Sequence, residues 1–291
     1  MFYRKTPGFI DSAENNASGV YNEFMQEAGF APKQDKSFSV HYIDVGQGDC
    51  EFIKCEGVTV LIDAGESGNE SKIIEYLKKQ GVEKLDYVIA THPHSDHIGA
   101  LDNVIDAFGA ANVIMPRVSK SMIPEGDHYS NLLKSIKKSG AETITAKPGE
   151  TYRIGSAVLT ILGPVEKNDD LNNMSVVCRL DYGDVSFLFE GDSGKEEDKS
   201  IIESGADLDC DILKVGHHGS KTSASYEFLK AVTPDTVIVC VGEGNDFGHP
   251  NPDTVKRLNE FAKNMYRTDL CSTIVITSDG TDYSVAYGDA A

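Results

Sequence analysis

The feature that most constrains this chain is the segment HPHSDH at residues 92–97. It places three imidazoles and one carboxylate within six residues. These groups are the nitrogen and oxygen donors that Zn²⁺ and related ions accept. Four donors this close together are hard to explain as a solvated surface turn. The segment therefore predicts a metal site, and a fold that brings further donors to it.

The residues before this segment are apolar and indicate how its donors are presented. The predicted strand Leu85–Ala90 leads straight into the donor segment, and a helix is expected to begin shortly after it. His92 and His94, two positions apart on a short loop, can reach one ion. Asp96 and His97 then point elsewhere and can reach a second ion. The spacing predicts two divalent ions; Zn²⁺ suits imidazole ligands, and Mn²⁺ suits a site richer in oxygen.

Composition and charge are those of an ordinary globular chain. Of 291 residues, 40% are hydrophobic and 25% are charged. No run of 18 apolar residues occurs, so no membrane segment is expected. The formal charge of −19 (27 Lys and Arg against 46 Asp and Glu) disfavours non-specific binding to long polyanions. Oligomeric state and localisation stay open, since a cytoplasmic protein and an exported one whose leader is absent from this sequence both fit.

The alternation of strands and helices predicts the domain boundary and the fold class. Residues 1–36 are polar and predict an N-terminal extension with one short helix near Val20–Ala28. From residue 37 to residue 291, short β-like segments alternate with amphipathic helices in two halves of similar size. We expect an α/β domain, with two mixed sheets packed face to face and helices outside.

Two later segments place donors just after an apolar strand. Asp192 follows the predicted strand Val185–Phe189 on a glycine-containing turn, where a carboxylate can bridge two cations. His217 and His218 follow the predicted strand Ile212–Val215. Because alternate side chains of an extended chain point to opposite faces, one histidine is expected to be a ligand and the other a neighbour. His217 is the first choice for the ligand, and His218 for a catalytic or substrate contact.

Other polar residues are expected around the same site. Ser220 and Lys221 follow the paired histidines and are candidates for binding phosphate. His249 lies on a turn and is expected to contact substrate or to protonate a leaving group, with a loop-packing role as the alternative. Asp63 and Asp44 are expected to orient the ligand histidines from behind, although Asp44 also fits a plain turn carboxylate.

In this order, the motifs resemble those of the metallo-β-lactamase superfamily. Asp63 matches its first motif, residues 92–97 its second, Asp192 its fourth and the histidine after Val215 its fifth. The resemblance spans roughly residues 37–287. A narrower match is to the hydrolase domain of ComEC-type competence proteins and its stand-alone relatives, carried by residues 41–49, 172–177, 213–220 and 248–250.

The resemblance implies an αββα sandwich that hydrolyses its substrate at a dinuclear centre, with metal-bound hydroxide as the nucleophile. Asp96 is expected to be indispensable for that activity. The implied ligands are His92, His94, Asp96, His97, Asp192 and His217.

One motif departs from the superfamily pattern. Most members place a histidine before the Gly-Asp strand, where this chain has Asn172 and Asn173. The ion held by His92 and His94 is therefore expected to have fewer protein ligands, to be completed by water or asparagine, and to bind more weakly. The missing histidine also disfavours β-lactam hydrolysis as the activity.

These patterns predict a metal-dependent hydrolase, most simply a phosphodiesterase or nuclease of the ComEC type. Its expected substrate is a phosphodiester, either single-stranded DNA or, given the charge of −19, a smaller molecule. Two alternatives stay open. One is a hydrolase of the same fold acting on a lactone, thioester or β-lactam, and the other is a non-catalytic metal-binding module.

Overall fold

The computed structural model describes residues 37–288, which belong to a compact unit that begins at Ser37. The helix predicted near Val20–Ala28 lies outside the described residues. Within residues 37–288, eight strands form the first sheet in the order β15-β14-β1-β2-β3-β4-β5-β6. Their bounds are β1 (Phe38–Tyr42), β2 (Glu51–Cys55), β3 (Val58–Ile62), β4 (Leu85–Ile89), β5 (Ala110–Met115), β6 (Glu142–Thr145), β14 (Ile274–Ser278) and β15 (Tyr283–Tyr287).

Seven described strands form the second sheet in the order β13-β12-β11-β10-β9-β8-β7. Their bounds are β7 (Thr151–Ile154), β8 (Ala157–Gly163), β9 (Val177–Tyr182), β10 (Val185–Phe189), β11 (Ile212–Lys214), β12 (Thr236–Val239) and β13 (Asn264–Arg267). The described helices are α1 (Glu70–Lys79), α2 (Ser95–Ile98), α3 (Leu101–Phe108), α4 (His128–Ser139), α5 (Lys195–Ser204), α6 (Tyr226–Val232), α7 (Pro252–Phe261) and α8 (Thr268–Cys271). None of them is long and apolar enough to span a membrane.

Both sheets are mixed, and their parallel halves determine where the site lies. Strands β3 to β6 run parallel in the first sheet, and β10 to β13 run parallel in the second. The remaining strand pairs are antiparallel. Carboxyl ends of parallel strands meet at one edge of a sheet, so the loops after β3 and β4, and those after β10 and β11, gather donors there.

Three layers of buried apolar side chains hold the sandwich together. Val40 and Ile53 of the first sheet pack in one cluster with Leu180 and Phe187 of the second, so the sheets meet face to face. The outer face of the first sheet packs against α1, α3 and α4, and that of the second against α5, α6 and α7. Burying apolar area on both faces of each sheet is the main source of stability in such a layered fold. The expected αββα architecture is confirmed.

Three short elements were not predicted from the sequence. Strand β6 reads Glu-Thr-Ile-Thr and is largely exposed, and β13 is half-exposed at the opposite edge of the other sheet. Edge strands such as these bury too little apolar surface to show an alternating pattern. Helix α8 has four residues, which is barely more than one turn.

Candidate metal centre

The donor turn after β4 is held against a second loop that contains Gly48. A Cβ at this glycine would overlap the carbonyl oxygen of Asp96, and its φ of +130° suits glycine only. The next residue, Asp49, donates its backbone N–H to that same carbonyl at 3.2 Å. The Gly-Gln-Gly turn is therefore required for the close approach of these two loops.

Four donors converge at the sheet edge and are called here the four-donor group: Asp96, His97, Asp192 and His218. The Nε2 atom of His97 lies 3.1 Å from Oδ1 of Asp192. The Nε2 atom of His218 lies 3.2 Å from Oδ2 of Asp96 and 3.5 Å from Oδ1 of Asp192. All except Asp96, whose side chain is 23% exposed, are buried. Two imidazoles and two carboxylates at such distances form a ligand set for a divalent ion.

Three donors form a neighbouring set, the three-donor group: His92, His94 and Asp192. The Nε2 atom of His92 lies 2.9 Å from Nδ1 of His94 and 3.8 Å from Oδ2 of Asp192. Asp192 thus belongs to both groups and turns a different carboxylate oxygen to each. This is the arrangement in which one carboxylate can bridge two cations.

Buried acceptors behind the four-donor group fix the orientation of its imidazoles. His97 donates from Nδ1 to Asp63 at 2.7 Å, and Asp63 in turn accepts the backbone N–H of Thr91 at 2.8 Å. The Nδ1 atom of His218 lies 2.9 Å from the carbonyl oxygen of Cys240. With both Nδ1 atoms engaged, both Nε2 atoms face the centre. Such outer partners set the tautomer and basicity of ligand histidines.

A fully buried ion pair lies beneath this layer. Lys214 pairs with Asp49, whose other oxygen is 3.3 Å from Nδ1 of His218, and it also donates to the carbonyl of Gly191 at 2.9 Å. Burial is the largest single influence and raises the pKa of Asp49, but Lys214, His218 and His97 together outweigh it, so the net pKa is lowered. Sequence reasoning did not single out Lys214. The available signal was a lysine inside the apolar strand β11.

The electrostatics of the four-donor group favour a bound cation. Burial lowers the pKa of His97, yet the carboxylates of Asp192 and Asp96 raise it well above its usual range. Burial also opposes protonation of His218, but Asp192 and Asp49 raise its pKa to about 10. The positive charges of the two protonated imidazole rings therefore balance the negative charges of the neighbouring carboxylates. A divalent ion would replace those protons, because ligation and protonation compete for the same nitrogen atoms.

Two buried polar atoms support the fit of the donors to a metal ion. Nε2 of His97 and Oδ1 of Asp192 lie 3.1 Å apart, but neither makes a well-directed hydrogen bond to the other or to any other group within residues 37–288. Unsatisfied buried polar atoms are costly and call for an explanation such as an ion. The residues present therefore suit divalent metals; the donor types are compatible with Zn²⁺ and Mn²⁺ and do not distinguish them.

The paired histidines lie differently from the expectation that His217 alone reaches the donors. Strand β11 ends at Lys214, and both His217 and His218 adopt left-handed backbone conformations, with φ of 47° and 51°. The strand alternation assumed for them therefore does not apply. His218 lies in the four-donor group, whereas the His217 side chain is 28% exposed. His217 still approaches the site, with Nε2 at 3.8 Å from Oδ2 of Asp192.

His249, expected to contact substrate, and Asn172, expected to complete or support the metal site, lie beside this turn. The ring of His249 is 5.4 Å from that of His217, and its buried Nδ1 atom has no partner in the described chain. Asn172 places Nδ2 3.3 Å from the His217 ring, and its buried Oδ1 is likewise unpartnered within residues 37–288. Both side chains have free hydrogen-bonding capacity close to the donors.

Four other candidates do not reach the donors. Ser220 is buried and bonds to Thr222 at 2.8 Å, and Lys221 is exposed outside the cleft. Asp44 accepts the N–H of Gly46 and pairs with Lys72, so it stabilises a turn. Asn173 accepts the N–H of Gly194 and donates to Glu196, so it holds a loop in place.

A cleft of about 490 Å³ opens above the two donor groups. Its walls include Asp192 at the base and residues of the donor turn, of the Asn172 turn and of the His217 turn. Volumes of roughly 300–1,000 Å³ are typical of small-molecule sites. The donors are therefore accessible to a ligand from one side.

Comparison with known proteins identifies the family. A sequence model described as the metallo-beta-lactamase superfamily matches residues 43–243. The chain belongs to the metallo-beta-lactamase superfamily. Among curated relatives, ComE operon protein 3 of Bacillus subtilis is 29% identical over 254 residues, covering 81% of this chain and 32% of that protein. Recombination protein 2 of Haemophilus influenzae is 28% identical over 246 residues, covering 82% and 28%. The chain thus spans about a third of the length of these relatives.

Solved structures of other proteins share the fold. Igni18, a metallo hydrolase from Ignicoccus hospitalis, superposes with a TM-score of 0.51 at 15% identity, covering 81% of this chain and 98% of that one. CmlA, a diiron β-hydroxylase from Streptomyces venezuelae, gives 0.55 at 17% identity, covering 91% and 59%. At such low identity these superpositions support the architecture and carry no information on the substrate.

Proposed function

We propose that this superfamily member is a metal-dependent phosphodiesterase of the ComEC type. The observation that carries the proposal is the sharing of Asp192 between two donor groups at the base of one open cleft. Two divalent ions bound there would supply Lewis acidity, a more acidic bound water and charge to stabilise a phosphoryl transition state. The donor chemistry alone fits hydrolysis generally, so the substrate class needs further support.

The geometry supports an assignment of ligands to each ion. Asp96, His97 and His218, with Oδ1 of Asp192, are proposed to hold the first ion. His92 and His94, with Oδ2 of Asp192, are proposed to hold the second.

The second ion would lack the histidine that most superfamily members supply where this chain has Asn172. His217 is proposed to take that place, because its Nε2 atom and that of His92 both lie 3.8 Å from the same oxygen of Asp192. A left-handed backbone conformation is strained at a non-glycine residue, and such strain is often found at functional sites.

The remaining polar groups near the mouth are proposed to bind the substrate. Asn172 can donate from Nδ2 to a non-bridging phosphoryl oxygen. His249 has a buried Nδ1 atom without a partner in the described chain and can hold a proton near the leaving oxygen. Ser220 and Lys221 are not assigned such a role, since the buried Ser220 hydroxyl bonds to Thr222 and the exposed Lys221 lies outside the cleft.

Two observations favour a phosphodiester over a β-lactam or lactone. Two similar curated proteins are named for competence and recombination, and each match covers about four-fifths of this chain. The asparagines at 172 and 173 also replace the histidine that β-lactam-hydrolysing members mostly use.

A substrate screen of the metal-loaded protein tests the proposal. We expect Zn²⁺- or Mn²⁺-loaded protein to hydrolyse bis-p-nitrophenyl phosphate and to leave chromogenic β-lactams and lactones intact. Asp96→Ala should abolish that activity, whereas Asp207→Ala, at a residue with a 79% exposed side chain, should retain it. Hydrolysis of a lactone, thioester or β-lactam in place of phosphodiesters would contradict the proposal. Absence of turnover with less than one ion per chain would indicate a non-catalytic module.

A further inference from the structure

An exposed aromatic ring stands at the mouth of the cleft. Phe247 is 70% exposed and contributes to the cleft wall. Its ring lies nearly parallel to that of His249, with centroids 5.8 Å apart and an interplanar angle of 25°. The other large apolar side chains exposed within residues 37–288, namely Leu133, Tyr226, Leu270 and Tyr287, do not line this cleft.

The loop that carries Phe247 is held in place by one side chain. Asn245 accepts the backbone N–H groups of Phe247 and His249 at 3.2 and 3.0 Å, and it donates to the carbonyls of Gly242 and His249 at 2.9 and 2.6 Å. These four bonds leave the turn little freedom. Isolated exposed apolar residues are common and need no explanation. A ring fixed in this way beside a reactive centre is instead preorganised for contact with a ligand.

The cleft walls lack the side chains that bind long nucleic acids. Among the described residues that line the cleft there is no lysine or arginine, and Glu66 and Glu125 lie among them. Binding of a long polyanion depends on several Lys or Arg contacts that neutralise successive phosphates. The chain as a whole carries −19. Outside the donor groups, the negative charge of the cleft walls and of the chain therefore disfavours the binding of phosphate groups. Only phosphates at the donor groups themselves escape this effect.

We propose that Phe247 is a stacking surface for a nucleobase, and that the substrate is a short nucleotide phosphodiester rather than a long nucleic acid. This inference rests on the proposed phosphodiesterase function. Base stacking on an aromatic ring strengthens binding roughly 5- to 150-fold and tolerates any base. Stacking therefore supplies affinity where cationic side chains do not. The cleft volume of about 490 Å³ is in the range of small-ligand sites.

The contribution of the base is measured by comparing thymidine 5′-p-nitrophenyl phosphate with methyl p-nitrophenyl phosphate. The two esters share a leaving group and differ in the nucleoside. We expect the metal-loaded protein to prefer the thymidine ester, and Phe247→Ala to reduce the ratio of the two kcat/KM values about tenfold. Phe247→Tyr should preserve the ratio, as should the control Tyr287→Ala, which changes an exposed aromatic residue outside the cleft. An unchanged ratio in Phe247→Ala would overturn the stacking role while phosphodiester hydrolysis still stood.

The size of the substrate is tested with wild-type protein on thymidylyl-thymidine and on a twenty-residue oligothymidylate. We expect kcat/KM per scissile bond to be at least as high for the dinucleotide, with only a shallow dependence on salt. A hundredfold preference for the oligonucleotide that falls steeply with salt would contradict the inference.

A binding measurement separates this inference from the activity. The chain has no tryptophan, so Phe247→Trp places the only tryptophan at the proposed site, where its emission can be excited apart from that of the tyrosines. Thymidine monophosphate should quench its emission saturably, and ribose 5-phosphate should not. Tyr287→Trp serves as the control and should show no saturable quenching. Quenching without phosphodiesterase activity would mean that only the proposed function has failed. Absence of quenching in an active protein would mean that only the stacking site has failed.

Discussion

The two donor groups share Asp192 and differ in how firmly the fold holds the remaining ligands. In the four-donor group, His97 and His218 are fully buried, and each Nδ1 atom has a fixed acceptor. In the three-donor group, His92 is buried, but His94 is partly exposed, and the hydrogen bond found for its side chain within residues 37–288 is the one to the ring of His92. The difference teaches that two sites built from similar donors can differ in how firmly their donors are held, because the residues that support the donors differ.

The same contrast recurs in the two aspartates that flank the Gly-Gln-Gly turn. Asp49 is buried and paired with the buried Lys214, and it contacts a ligand histidine. Asp44 is partly exposed and paired with Lys72, whose side chain is 51% exposed. In sequence the two residues are equivalent. In the fold, only Asp49 of this pair contacts a histidine of the four-donor group.

The largest effect is expected from the residue that the two groups share. Asp192→Asn removes one negative charge from both groups, so the protein should lose both metal ions and all phosphodiesterase activity. Elemental analysis of the dialysed protein and a bis-p-nitrophenyl phosphate assay would measure this. Asp207→Asn is the matched control and should keep both ions. Retention of two ions by Asp192→Asn would show that the groups are independent.

The adjacent histidines offer the sharpest comparison between the groups. His218→Gln removes a ligand from the four-donor group, so metal affinity of that site should fall at least 100-fold, with activity lost. His217→Gln should reduce only the weaker metal affinity, by about tenfold, because His217 is partly exposed and approaches a single carboxylate oxygen. Equilibrium dialysis with Mn²⁺ would measure both. Equal losses, or a larger loss in His217→Gln, would break the assignment.

The buried support of the four-donor group predicts an effect on stability as well. Lys214→Met leaves Asp49 buried without its partner, which should cost about 3–5 kcal/mol of unfolding free energy and weaken the first metal ion 10- to 100-fold. Lys72→Met breaks the exposed pair and should cost at most about 1 kcal/mol. Urea unfolding of the metal-free variants compares them. Similar losses of unfolding free energy in Lys214→Met and Lys72→Met would contradict the proposed difference between Asp49 and Asp44.

A carboxyl group outside both donor groups provides the smallest effect. Burial raises the pKa of Glu197 to about 7; a backbone N–H bond from Val165 lowers it, and nearby Glu166 raises it. The folded-state pKa lies above the unfolded value of 4.5, so this group reduces stability as pH rises from about 4.5 to 7. Glu197→Gln removes the titrating carboxyl group. The variant should therefore lose less unfolding free energy than the wild-type protein between pH 4.5 and pH 7.5. An identical pH dependence of unfolding in both proteins would contradict this.

The sequence sufficed for features carried by continuous segments. Each apolar strand that ends in a donor turn, such as β4 before His92 or β10 before Asp192, shows its pattern within a few residues, and the αββα fold followed from the order of these units. The edge strands β6 and β13 were missed because they bury little apolar surface.

Apart from Asp63, which bonds to His97 as expected, the supporting residues could not be inferred in this way. Lys214 meets Asp49 from 165 residues away, and Ser175, which lies 3.3 Å from Nδ1 of His92, comes from 83 residues away. Such contacts depend on how the two sheets are paired. The order of His217 and His218 depends on two left-handed φ angles, which the identities of the residues do not indicate.

Calorimetric titration of metal-free protein with Mn²⁺ tests the inequality of the two groups most directly. We expect two ions per chain, bound in two steps whose dissociation constants differ at least tenfold. His94→Gln should remove the weaker step and leave the tighter one intact. Two equivalent steps in the wild-type protein, or loss of the tighter step in His94→Gln, would contradict the account.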